Sequence, residues 1–76
     1  MKLQEGQKVK VVKLDGKQRY KKTGKVILIN KHYVLVEFKN YRECYTKSDI
    51  ITGDWVQMYI KHEKELIRVT KEMIKW

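Results

Sequence analysis

The cationic side chains are the residues of this chain best placed to do chemistry. Among 76 residues there are 18 Lys and Arg against 9 Asp and Glu, a formal net charge of +9. Residues 1–32 hold ten Lys/Arg against only Glu5 and Asp15, whereas residues 33–76 hold eight against seven acids. Lys8 and Lys10 alternate with Val9 and Val11. Lys17, Arg19, Lys21 and Lys22 crowd one polar segment, and Lys25 opens the next apolar run. Ammonium and guanidinium groups gathered on one side neutralise phosphates and release their condensed counterions. These seven side chains are therefore the candidate nucleic-acid contacts. Tyr33 alternates with Leu35 and Glu37 and is the ring best placed to stack on an unpaired base. Tyr20 and Tyr45 are expected in the core or at its rim. The bland alternative is a lysine-rich surface that serves solubility alone.

Other chemistries find little to work with. His32 and His62 fall in different elements, and the single Cys44 has no base partner near it in sequence. No Cys/His spacing suits a metal, and no Gly-rich phosphate loop or nucleophile elbow is present. The expectation is a non-enzymatic protein without metal or cofactor. Its one cysteine cannot form an internal disulfide, no apolar run reaches ~18 residues, and the first residues lack a signal-peptide core. A cytoplasmic protein is expected, without membrane contact and more as a monomer than as a homodimer.

A chain of this length has room for one domain, spanning 1–76, and buries only about 60 to 65% of its unfolded surface. Gln7–Leu14 reads as a first strand with Val9 and Val11 facing inward. Val12 interrupts the alternation, which implies a bulge, a twist or burial on both sides. Asp15-Gly16 is a turn signal, and residues 15–23 read as a polar excursion loop. From Gly24 to Phe38 two β-branched runs flank Asn30-Lys31-His32, a hairpin signal in which Val34, Val36 and Phe38 form the core face. Lys39-Asn40 is a second turn, and residues 41–47 read as a strand of ambiguous facing. Burial of Cys44 would turn Arg42 and Thr46 inward, whereas burial of Tyr45 would take Glu43 with it. Ser48-Asp49 is expected to open a turn into a brief closing strand, Ile50-Ile51-Thr52, ended by Gly53.

Residues 54–76 carry a different period. Trp55, Tyr59, His62, Leu66, Val69, Met73 and Trp76 recur at alternating spacings of 4 and 3, and Asp54 with Gln57 has capping-box spacing. The expectation is an amphipathic helix that covers the sheet or docks on a partner. The competing reading is a hairpin. Val56–Ile60 and Leu66–Thr70 are rich in strand formers, with His62-Glu63-Lys64 as the turn.

Gly6 with Val9 and Val11, then Gly24-Lys25-Val26, Val34-Leu35-Val36 and Asp49-Ile50 resemble the SH3-like barrels of the KOW type, found in transcription-elongation and ribosomal proteins. These positions are mostly core and turn residues, so the resemblance speaks for fold more than for function. Gly16 lies eight residues before Gly24, a longer interval than the KOW pattern has. In form the chain is also similar to small barrels encoded by phages and mobile elements of low-GC bacteria, a likeness that assigns no function. The expected architecture is α+β: a five-stranded antiparallel SH3-like barrel over about 5–53, followed by a C-terminal helix over about 54–76. The expected function is nucleic-acid binding of low sequence specificity. A protein-interaction adaptor is the alternative, with its partner or a second copy on the barrel or the helix.

Overall fold

The computed structural model describes residues 2–74. Six strands and one short helix follow in the order β1 (Lys8–Asp15), β2 (Gln18–Ile29), β3 (Tyr33–Glu37), β4 (Arg42–Thr46), α1 (Lys47–Thr52), β5 (Val56–His62) and β6 (Glu65–Arg68). They form one antiparallel sheet in the order β4-β3-β2-β1-β5-β6. This replaces the expected five-stranded barrel with a trailing helix. The sheet is open, because no pairing among the described strands joins β4 to β6.

Residues 54–74 are not helical. Their apolar residues obey a period of 2 as well as one near 3.5. Val56, Met58 and Ile60 are buried, while Gln57, Tyr59 and Lys61 take the opposite face. The outer edge of β1 decides the matter. β5 supplies its missing ladder, from Val9 opposite Ile60 to Lys13 opposite Val56. An isolated helix there would leave the backbone groups of β1 unpaired over a buried core. Asp54 and Gln57 consequently form no capping box; Gln57 Nε2 donates instead to Gly53 O, 3.3 Å away. Trp76 of the expected stripe lies outside the described residues.

Two further expectations change. Residues 15–23 are not a loop: a tight turn at Gly16-Lys17 leads straight into β2, which pairs with β1 from Asp15–Gln18 to Lys8–Lys25. The polar residues are there because this end of β2 is exposed, and its pairing with β1 holds it as a strand. Ile50-Ile51-Thr52 is the second half of α1 rather than a strand. Thr46 Oγ1 accepts from Asp49 N at 3.1 Å, and Gly53, at φ 71°, donates its N–H to Asp49 O at 2.9 Å. Thr46-Lys47-Ser48-Asp49 is thus the start of a capping motif and Gly53 a left-handed stop.

The hydrophobic core lies on one face of the sheet. Val9, Val11, Val26, Val34, Val36, Met58 and Ile60 supply it from the strands, while Leu3, Phe38, Ile50, Val69, Met73 and Ile74 close over them. Tyr45 is the β4 residue buried here, with Glu43 half-buried beside it and Cys44 exposed, which settles the facing of that strand. Val12 is 5% exposed although it points away from this core, so the break in alternation marks burial on both faces rather than a bulge. The sheet curls enough to bring β1 and β4 together across the core side. Lys13 Nζ lies 2.5 Å from Glu43 Oε1, and α1 packs on both β4 and β5.

Candidate nucleic-acid interface

Residues paired across an antiparallel ladder share a face, so the registers assign every side chain to a side. The side away from the core carries Lys8, Lys10, Val12 and Leu14 of β1, opposite Lys25, Thr23, Lys21 and Arg19 of β2. From β5 it carries Tyr59 beside Lys10 and Gln57 beside Val12. From β6 it carries Arg68 beside Tyr59 and Leu66 beside Lys61. Seven cations with no ion pair among the described residues, Lys8, Lys10, Arg19, Lys21, Lys25, Lys61 and Arg68, thus share this surface, Arg68 being turned to Ile51 O at 3.2 Å. No Asp or Glu holds a paired position on it within β2, β1, β5 and β6. The first carboxylate met is Glu37 on β3, opposite Lys25, and its Oε2 is held by Arg42 Nη2 at 3.0 Å. Lys8 stands directly opposite Lys25, a like-charge cross-strand pair that costs stability unless an anion lies between.

The sequence-predicted residues divide accordingly. Lys8, Lys10, Arg19, Lys21 and Lys25 come together. Lys17 sits at the exposed tip of the β1–β2 turn. Lys22 does not join them, because its partner is Val11 and it faces the core side. Its Nζ donates to Tyr41 Oη at 2.6 Å and lies 4.6 Å from the ring centroid. Tyr33 is half-buried and four residues along β3 from Glu37, roughly 13 Å from the row that holds Lys25. It therefore contributes no ring to the cationic surface. Tyr59, Lys61 and Leu66 are the residues that sequence reasoning missed. The alternation of Gln57, Tyr59 and Lys61 would have revealed two of them once this segment was read as a strand.

Lys10, Arg19 and Lys21 rim a shallow cavity of about 110 Å³ whose floor is Val12, Gln57, Tyr59 and Leu66. Tyr59 Oη donates to Gln57 Oε1 at 2.7 Å, and Gln57 is anchored in turn on Gly53 O. The phenol is therefore held along β5, with its ring toward the cavity.

The core-side charges are organised differently. Lys13 bonds Glu43, and the Tyr45 hydroxyl donates to the same carboxylate. Burial alone would raise the Glu43 pKa, but the Lys13 and Tyr45 hydrogen bonds, with the Lys13 and Lys22 charges, outweigh it and hold it below the ordinary value of 4.5. Burial, then the neighbouring Glu43, pushes the Tyr45 phenol up, so it stays a neutral donor. Lys13 and Glu43 thus neutralise one another, while Lys22 lies against the neutral Tyr41.

His32, His62 and Cys44 are exposed and lie on separate elements. Among the described residues no three His, Cys, Asp or Glu side chains cluster as metal ligands, and no helix is long and apolar enough to cross a membrane. No protein-family model, curated protein or solved structure matches the chain. The resemblance to KOW-type domains therefore rests on the residues quoted for it alone.

Proposed function

We propose that this protein binds nucleic acid non-enzymatically and with low sequence specificity, through the face built by β2, β1, β5 and β6. The observation that carries this reading is the gathering of Lys8, Lys10, Arg19, Lys21 and Lys25, with one carboxylate, Glu37, at its margin beside Lys25 and held by Arg42. Strands hold these groups at fixed spacing, roughly 5 Å across a pair and 7 Å along a strand, commensurate with successive phosphates. Lys61 extends the surface, and Lys17 reaches beyond the turn. Lys22 and Tyr33, counted as contacts from sequence, have no part in it.

Anisotropy titrations with labelled DNA and RNA at several salt concentrations test the proposal. Binding is expected to weaken linearly on a log–log salt plot, by about 0.9 per duplex phosphate contact and about 0.7 per single-strand contact. Lys10→Gln combined with Lys21→Gln should lower affinity and flatten that slope by about 2. Lys22→Gln, on the other side of the sheet, should leave both unchanged. Absence of binding to either polymer at tens of micromolar and low salt would refute the reading. It would leave the adaptor alternative, in which a protein docks on exposed Tyr20, Tyr41 or Trp55.

A further inference from the structure

We infer that the cavity between β1, β2, β5 and β6 receives an unpaired nucleobase, so that the preferred ligand is single-stranded. The inference deepens the nucleic-acid reading and rests on it. A purely electrostatic surface needs only cations. This one sets three of them, Lys10, Arg19 and Lys21, around a floor that is largely apolar and aromatic. Leu66 is 52% exposed at its edge, a large side chain with nothing over it among the described residues. Val12, by contrast, is 5% exposed, so the apolar floor extends beneath the side chains around it.

The ring of Tyr59 is the stacking element. Its hydroxyl is fixed on Gln57, and Gln57 on Gly53, so little rotamer freedom is lost when a base lies against it. Every base offers a π-face, which makes this contact tolerant of sequence. The flanking phosphates then fall to Lys10 and Lys21, diagonal neighbours across the β1–β2 ladder, with Arg19 beyond them. Paired bases in a duplex are stacked inside and cannot enter a recess of this size. A duplex could use only the rim cations.

The test compares an oligothymidylate with a duplex of equal length at one salt concentration. Wild type should favour the single strand by about tenfold or more, in line with the stacking of one base on one ring. Tyr59→Leu should erase most of that preference while leaving duplex affinity and the salt slope unchanged. Tyr59→Phe, which keeps the ring, should retain it. A 5-iodouracil-substituted strand, irradiated in the complex, should crosslink within the peptide that contains Tyr59. Circular dichroism of each variant shows whether the sheet has survived. If Tyr59→Leu misfolds, the crosslink in the wild-type protein decides. Equal affinity for both polymers, or crosslinks confined to other peptides, overturns the base pocket but spares the electrostatic reading. Failure to bind either polymer overturns both.

Discussion

Gly24 shows how much one residue constrains. A Cβ at this position would lie 2.7 Å from Val36 Cγ1, 2.8 Å from Glu37 O and 2.9 Å from Phe38 Cδ1. β3 can approach β2 here because nothing projects between them. Gly24→Ala should therefore lower the denaturant midpoint by an amount worth about 1 to 3 kcal/mol, the cost of overfilling a packed site. Glu43 gives a second prediction. Its folded pKa lies below the unfolded value, so its contribution is present above about pH 4.5 and is lost as pH falls through the folded value. Glu43→Gln should flatten the acid side of a stability profile measured by denaturant titration between pH 7 and 3. An unchanged profile would mean that Lys13 and Tyr45 do not hold this carboxylate. At this scale the sequence was readable where alternation was clean, as for Lys8 to Val11. It was unreadable where facing depended on the partner strand. Lys22 differs from Lys21 only by which residue of β1 stands opposite it, and that register is set by the turn at Gly16.

Among the elements, the β1–β2 and β5–β6 turns are instructive as a pair. The β1–β2 turn places Gly16 at φ 60°, and the β5–β6 turn places Glu63 at φ 59°. Both are first positions of two-residue turns, where a left-handed backbone matches the twist of the flanking strands and glycine is the favoured residue. Glutamate there carries strain, so Glu63→Gly should raise the melting temperature, by a gain of up to about 1 kcal/mol after glycine's own entropic cost. A fall would show that Glu63 makes a contact that outweighs the strain. The lack of glycine in this turn is also why residues 54–76 read as a helix. Lys61/Glu65 and Arg68/Glu72 have helical charge spacing, and His62-Glu63-Lys64 carries no conventional turn residue. The β2–β3 hairpin announced itself because Asn30 does carry one, its Oδ1 accepting from the N–H groups of His32 and Tyr33 at 2.8 Å. α1 was hidden for another reason. Six residues leave no periodicity to detect, so only Thr46, Asp49 and Gly53 betray it.

For the molecule as a whole, the charge asymmetry of the sequence maps onto neighbouring strands, β1 and β2. Folded as adjacent strands, the positive half places five of its ten cations on the face away from the core, while Lys13 and Lys22 turn to the core side. The open topology leaves β4 and β6 as the outermost described strands, of five and four residues. Each carries charged side chains along its short length, Arg42 and Glu43 on one and Glu65 and Arg68 on the other. An uncapped margin of this kind can template growth by a neighbouring copy unless shortness and charge discourage it. Concentrated solutions should accordingly stay clear on storage and slow to bind thioflavin. Replacing Glu43 and Glu65 by valine should convert the same margins into sticky ends that nucleate fibres.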